Sequence, residues 1–317
     1  MPAIAVSEPV ALSLRALGET GGRWLAELPE LLASLAADWS LTVGARLDGG
    51  RAAYVAEAVT HDGARVVLKV PIPPGIDEVT PAERELTALR LAGGDPYARL
   101  IRHDGLRRAL LLERLGRPMA GLGWPAGRQL DALTATAARG WRKVAEGGVL
   151  PTGAEAARWH AGYIPSAWEE LGRPCPEATV ELALSCAAER EAAADPSRAV
   201  LVHGDVHALN ALEAPGGAGF RLVDPEGLIS EPAHDLGVVQ ARGVQGRIAE
   251  LAAGDPGRVR ERMERGCRRA GRLTGSDPDA VRQWAVMELV STGLFLLRVG
   301  RREDAEAFLA VATGLTR

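Results

Sequence analysis

A two-lobed α+β fold is predicted, with a small antiparallel β-sheet N-terminal lobe containing one main helix and a larger helical C-terminal lobe. Three observations predict it. The chain has 317 residues, which suits two compact lobes or one large unit. Residues 39–115 break into short apolar runs separated by turn residues, in the order β-β-β-α-β-β. After Pro118 the apolar spacing becomes helical and stays so, except for one strand-loop-strand block at 199–229. The expected division is residues 1–115, with 1–38 a helical extension, and residues 116–317.

Taken in order, residues 11–37 carry helical apolar spacing (Leu12, Leu14, Leu17, then Trp24, Leu25, Leu28, Leu31, Leu32, Leu35) interrupted by Gly18 to Gly22. Two short helices are expected there. W-S-L-T-V-G-A-R-L reads as a strand, and A-A-Y-V-A-E-A-V and V-V-L-K-V as the second and third, with D-G-G and H-D-G-A as their turns. Pro71, Pro73 and Pro74 end the meander. Thr80-Pro81 opens a helix, as N-cap and first helical residue, that stops at Gly93-Gly94. Leu100-Ile101 and Ala109 to Leu115 read as two more strands. Helices are expected over 129–144, 155–161 and 177–194, and from about Pro256 onward.

Composition excludes several function classes. A formal net charge of −4 leaves no basic face for a nucleic-acid binder. No apolar run reaches the roughly 18 residues of a membrane span; Val286–Val299 is broken by Glu288, Ser291, Gly293 and Arg298. The opening residues show no basic and apolar secretory pattern, and three scattered cysteines (Cys175, Cys186, Cys267) fit a reducing compartment rather than a metal site. A cytoplasmic protein with no nucleic-acid, membrane or obligate protein partner is expected. Of the 37 basic residues, 35 are arginines, so Lys69 and Lys143 are exceptions to a strong bias.

The most informative stretch is A-V-L-V-H-G-D-V-H-A-L-N-A-L, residues 199–212. A short apolar strand delivers His203, Gly204 and Asp205 into a polar loop, and Asn210 follows five residues later. F-R-L-V-D-P-E-G then ends a second short strand in Asp224. Two carboxylates and a carboxamide on adjacent strands suit a Mg-nucleotide site: one Asp orients a hydroxyl, while Asn and the other Asp offer oxygens to a hard cation. The plain alternative is a hairpin whose acids are solvated; a lone H-G-D would merit it, and the joint spacing does not. Lys69, on the third strand, precedes a helix carrying Glu83 and Glu85. A strand lysine paired with a helix glutamate is how kinase folds hold ATP phosphates. A rotatable ammonium also explains why this position resists the arginine bias. Lys143 is expected to be solvated charge. The D-G-G turn carries little weight, and L-L-L-E-R-L-G (110–116) offers backbone near Glu113 to Leu115 for an adenine edge.

H-G-D-x-H-x-x-N followed by D-P-E-G-L-I-x-E-P-x-x-D-L-G resembles the aminoglycoside phosphotransferase family, which has the protein-kinase-like fold. Within it the likeness is to the streptomycin 6-kinase and hydroxyurea phosphotransferase branch. It is carried by D-P-E-G, by G-G-R-W-L-A-E-L-P-E-L-L-A and by L-L-E-R-L-G, and it extends over nearly the whole chain. The resemblance implies ATP and Mg²⁺ as cofactors and Asp205 as catalytic base. It implies Asn210 and Asp224 as metal ligands, Lys69 as phosphate lysine, and Glu113 and Leu115 beside the nucleotide. Glu85 is the expected partner of Lys69, with Glu83 a competitor that spacing does not separate. His203 and Asp235 are expected to support the catalytic loop, and His207 to be a loop or substrate-side contact. A polyhydroxylated cationic acceptor would meet carboxylates, for which Glu226, Glu231 and Glu288 are candidates, with Trp284 packing a ring. Residues 291–300 are more apolar than a pocket for a guanidinylated ring should be. An antibiotic O-phosphotransferase is the leading expectation. A kinase of another small hydroxylated metabolite, such as an amino sugar or hydroxyurea, is the alternative, and a nucleotide-binding pseudokinase is the rival from another class.

Overall fold

The computed structural model describes residues 4–48, 50, 52–73, 80–243 and 256–316. Gly49 and Arg51 of the first turn, and Pro74, lie outside the described residues. The chain forms two compact units, one ending at Gly116 and the other beginning at Arg117.

In the first unit, helices α1 (Glu8–Ala16) and α2 (Gly18–Trp39) precede a five-stranded antiparallel sheet. Its strands are β1 (Leu41–Arg46), β2 (Ala53–Thr60), β3 (Arg65–Pro71), β4 (Leu100–Asp104) and β5 (Ala109–Glu113), in spatial order β1-β2-β3-β5-β4. Helix α3 (Pro81–Ala92) links β3 to β4. The expected break at Gly18 to Gly22 falls one residue earlier, at Leu17, and the glycines lie inside α2. Trp39 belongs to α2 rather than to the first strand, because Ser40, in the left-handed region at φ 54°, ends the helix.

The two periodicities fix which face of the sheet each helix covers. Leu28, Leu32, Leu35 and Trp39 form one stripe of α2. They pack on Tyr54, Ala56 and Ala58 of β2, Val66, Leu68 and Val70 of β3, and Ala109 and Leu111 of β5. Alternation along β3 therefore turns Lys69 to the opposite face, where α3 supplies Glu85.

The second unit holds α4 (Ala126–Gly140), α5 (Gly153–Glu170), α6 (Glu177–Ala192), α7 (Ala233–Arg242), α8 (Pro256–Thr274), α9 (Pro278–Arg298) and α10 (Arg302–Gly314). Two small antiparallel ladders sit among them: β6 (Val200–Val202) with β9 (Leu228–Ser230), and β7 (Ala211–Glu213) with β8 (Phe220–Leu222). Helix α4 stops at Gly140 because Trp141 is extended, four residues short of the expected end, so Lys143 is not helical. Lys143 is exposed, as expected, and its ammonium also donates to the carbonyls of Ser197 and Ala199 on the approach to β6. Helix α7 was not expected at all.

By length and composition α9 passes as a membrane-crossing helix, against the expectation that Val286–Val299 is too interrupted, but most of it is buried inside the second unit. It packs against α7, α10 and α6. A Cβ on Gly237 of α7 would lie 2.4 Å from Trp284 Cβ, so only glycine lets α7 and α9 approach this closely. The apolar character of residues 291–296 reflects burial: all but Phe295, which is half-buried, are buried.

Two buried histidines make this core acid-sensitive. His234 stacks on Trp284 with ring centroids 3.9 Å apart, and His160 meets the same indole edge-on at 6.5 Å. Burial pushes the imidazoles down from 6.5, to about 4 for His160 and about 3 for His234. The unfolded chain takes protons at about pH 6.5 and the fold does not. The histidine contribution is therefore complete above that pH and declines as pH falls toward 4 and 3. The raised carboxyls of Asp235 and Glu288 act in the opposite sense, so the variant comparison isolates the imidazole. For His160→Leu, urea unfolding at pH 7.5 and 4 should show the stability gap to the native protein shrinking by about 3 kcal/mol on acidification. Parallel pH profiles would refute the assignment.

Candidate active site

Lys69 lies on β3 between Val55 and Leu110 of the neighbouring strands. Its Nζ donates to both Glu85 oxygens at 2.7 Å, with the two residues 8% and 6% exposed. So enclosed a pair holds one geometry. Glu83, the competitor, is occupied elsewhere. Its carboxylate accepts from the Thr80 backbone N–H at 2.9 Å while Thr80 Oγ1 accepts from Glu83 N, the reciprocal cap of α3.

Glu113 turns its carboxylate to the Arg99 N–H at 2.7 Å, and its own N–H donates to the Arg99 carbonyl. The Leu115 carbonyl accepts from the Arg114 guanidinium. Glu113 thus knits β5 to the approach of β4, and its N–H is already engaged within this unit.

In the second unit, Asp235 organises the loop after β6. Its buried carboxylate accepts from the His203 N–H (3.1 Å), the Gly204 N–H (2.8 Å) and Trp141 Nε1 (2.9 Å). Burial pushes its carboxyl up, opposed by His203 and these donors. Gly204 has φ 85°, and a Cβ there would come within 2.4 Å of Leu228 Cδ1, so glycine is required at this turn. His203 Nδ1 accepts from the Asp205 N–H, which leaves Nε2–H to donate to the Val223 carbonyl at 3.0 Å. The ring is neutral, its pKa lowered by burial, and it ties the loop to the end of β8.

Asp205 is the centre of this network. Its Oδ2 accepts from His207 Nε2 at 3.2 Å and from Asn210 Nδ2 at 3.1 Å. Asn210 Nδ2 also donates to the Asp205 carbonyl. Oδ1 lies 3.0 Å from Arg242 Nη2, yet it is buried and has no partner at hydrogen-bonding geometry. Burial raises the carboxyl, but Arg242 and His207 outweigh it and hold Asp205 below the usual carboxylate range. The β7–β8 hairpin brings the other two polar residues together: Val223 N donates to the Asn210 carbonyl at 2.9 Å, which sets Asp224 beside Asn210 at the open end. Asp224 is exposed and left-handed at φ 57°, a conformation that aspartate tolerates better than most residues.

The expected acceptor contacts fare differently. Trp284 is core, 2% exposed, its indole N–H donating to Glu231 Oε1 at 2.9 Å; it cannot pack a substrate ring. Glu231 also pairs with Arg190 at 3.1 Å, so its carboxylate is matched internally. Glu288 is reached by Thr292 Oγ1 at 2.7 Å and by Arg242 Nε at 3.1 Å. Glu226 is exposed and contributes to the negative field at Arg242. Arg242, missed in the sequence, joins Asp205 to Glu288. The only signal for it was one more arginine in an arginine-rich chain.

The residues fit a divalent cation. Asn210 engages its amide nitrogen with Asp205, which leaves the oxygen end, and Asp224 adds an exposed carboxylate. Among the described residues no cluster of three or more His, Cys, Asp or Glu could cage a metal. Two protein oxygens suit a Mg²⁺ completed by phosphate and water, not an all-protein cage.

The model of the aminoglycoside/hydroxyurea antibiotic resistance kinases matches residues 38–300. A streptomycin 6-kinase of Streptomyces griseus is 31% identical over 308 residues, covering 96% of this chain and 94% of that protein. A hydroxyurea phosphotransferase of Kitasatospora aureofaciens is 33% identical over 238 residues, covering 73% of this chain and 66% of that protein. Among solved structures, a spectinomycin phosphotransferase in complex with ADP and spectinomycin has a TM-score of 0.56 at 12% identity, covering 91% of this chain and 98% of that one. The choline kinase of Streptococcus pneumoniae has the same TM-score at 12% identity, covering 91% and 99%. At those identities the structures show the protein-kinase-like fold and no more. With matching over most of its length, the chain belongs to the aminoglycoside/hydroxyurea antibiotic resistance kinases, ATP-dependent small-molecule O-phosphotransferases.

Proposed function

We propose that this kinase acts in the cytoplasm, phosphorylating a hydroxyl of an aminoglycoside-type antibiotic with Mg-ATP and so conferring resistance. One observation carries the reading. Asp205 has one oxygen engaged by His207 and Asn210 while Oδ1, buried and held ionised, lacks a hydrogen bond. An acceptor O–H donating to Oδ1 is oriented by a carboxylate that can take its proton as the new O–P bond forms. His207 and Asn210 fix the rotamer, and Asp235 fixes the loop. Lys69, held by Glu85, presents an ammonium to the nucleotide phosphates. Asn210 and Asp224 would hold Mg²⁺, whose charge offsets that of the phosphates. A screen for acceptor-stimulated ADP release across streptomycin, other aminoglycosides, amino sugars and hydroxyurea tests the proposal; no stimulation by any aminoglycoside overturns its acceptor.

A second reading, a small acceptor of hydroxyurea type, is favoured by the internal pairing of Glu231 and Glu288. Fewer carboxylates then remain to recognise a polycation.

Lys69→Arg checks the phosphate lysine. A planar guanidinium cannot take the compact position in which Nζ meets both Glu85 oxygens. A loss in kcat/KM for ATP of at least about tenfold is expected, about 1.4 kcal/mol of transition-state stabilisation. Steady-state kinetics at varied ATP would show it, and unchanged kinetics would remove Lys69 from the role. Lys143 is no inert control, since it holds two carbonyls.

A further inference from the structure

The Asp205 side chain is one-fifth exposed, yet its Oδ1 is closed to solvent. Against that oxygen stands Arg242, the last residue of α7, with Nη2 at 3.0 Å. The contact is one of charge alone. Oδ1 has no partner at hydrogen-bonding geometry, and neither has Arg242 Nε, which lies 3.1 Å from Glu288 Oε1. Glu288 is fixed on α9 by Thr292 Oγ1, which donates to the same oxygen at 2.7 Å. Residues 233–241 of α7 are all buried, so the backbone at Arg242 is held and its side chain is the part able to turn. The guanidinium thus has two carboxylates within reach, and Glu226 adds a third to the field around it.

We propose that Arg242 makes this kinase choose its acceptor over water: it covers Asp205 Oδ1 until a cationic acceptor brings a charge to replace it there, then withdraws toward Glu288 and leaves the oxygen to the acceptor hydroxyl. The proposal rests on the phosphotransfer reading above and adds the residue that decides its specificity. Charge separates the two nucleophiles. Parting a buried carboxylate from its cation is costly unless another cation takes its place. Water carries no charge and leaves Arg242 where it is. An acceptor with an ammonium or guanidinium beside its hydroxyl brings that charge into a group where three carboxylates face one guanidinium. Arg242 keeps Glu288 as it turns, so its own charge stays paired, and no hydrogen bond at Oδ1 has to break. Binding of the right substrate thereby completes the site.

ATP hydrolysis without acceptor measures the cover. In Arg242→Gln water can reach Oδ1. Its oxygen bonds to the γ-phosphorus, the bond to ADP breaks, and its proton passes to Asp205 and on to solvent, giving ADP and phosphate. Phosphate release should rise at least about tenfold over the native rate. Asp205→Asn/Arg242→Gln should lose that gain, because the base is gone. Arg242→Lys, which restores a cation on a long stem, should recover part of the restraint. Should Arg242→Gln not fold, Arg242→Met, which retains the apolar stem, carries the same expectation. A rate no higher than native in the folded variant would overturn the proposal and leave Arg242 a structural ion pair.

Chemical rescue tests the charge itself. Methylguanidinium at millimolar concentration should suppress the excess hydrolysis of Arg242→Ala, and methylurea, its uncharged analogue in shape, should not. Equal effects of the two, or none from either, would overturn the proposal. The acceptor screen on the native protein tests the phosphotransfer reading separately. Acceptor-stimulated ADP release without a gain in hydrolysis in Arg242→Gln keeps that reading and overturns this one. A gain in hydrolysis without stimulation by any aminoglycoside supports Arg242 as the cover and removes the acceptor class.

Discussion

Replacing Asp205 with asparagine should leave the fold and nucleotide binding intact and lower kcat by about two to four orders of magnitude. The side chain is nearly isosteric, and a carboxamide oxygen still accepts from His207 Nε2 and Asn210 Nδ2, so the loop keeps its shape. The loss is confined to the other atom. In the position of Oδ1 the variant places an NH₂ group, which can neither accept the hydroxyl proton nor coexist comfortably with Arg242 Nη2 at 3.0 Å. Single-turnover kinetics with acceptor present would measure the chemical step, and calorimetry would verify ATP affinity. Turnover within about threefold of native would remove Asp205 from the role of base.

Replacing Asp224 with asparagine should cost about a hundredfold or more in kcat/KM for Mg-ATP. Asparagine is the better probe than alanine because residue 224 is left-handed, and Asn tolerates that conformation as Asp does. Backbone strain is thereby kept out of the comparison, and the change is the loss of one anionic oxygen from a pair of hard donors. The magnesium dependence should shift with it: higher Mg²⁺ should recover part of the activity, which a folding defect would not permit. Calorimetry showing unchanged Mg-ATP affinity would count against Asn210 and Asp224 as ligands.

Local structure was legible in the sequence and long-range pairing was not. The meander, the α3 boundaries and the candidate residues of the loop after β6 follow from alternation, turn chemistry and motif spacing, all short-range properties. The choice between Glu83 and Glu85 was in fact available. T-P-A-E places Glu83 at the third position after its N-cap, where it folds back on Thr80, leaving Glu85 for the lysine. Helix α7 escaped notice because it has no solvated face. Residues 233–241 are all buried, the polar His234, Asp235 and Gln240 among them, and a short helix buried on every side lacks the 3.6-residue signature. With α7 went Arg242, and with Arg242 the account of Glu288. Glu231 fails for a related reason, since its partners Arg190 and Trp284 lie 41 and 53 residues away and no local pattern encodes them.

The β7–β8 hairpin separates the proposed magnesium-binding residues from a place where the chain is free to vary. Asn210 and Asp224 sit where its strands open, joined by the Val223–Asn210 bond. Pro215–Gly219 forms the far end, with left-handed Gly216, Gly217 and Gly219 closed by the Ala214 N–H to Gly219 carbonyl bond. Three ladder pairs stand between the tip and these two residues, so extra residues there change the length of the arm and not the register of its base. Doubling such a loop costs only about 0.6 kcal/mol in closure entropy. Homologous kinases should therefore differ freely in hairpin length while holding the chemistry constant, and an affinity tag or reporter peptide grafted at Gly216-Gly217 has a natural seat.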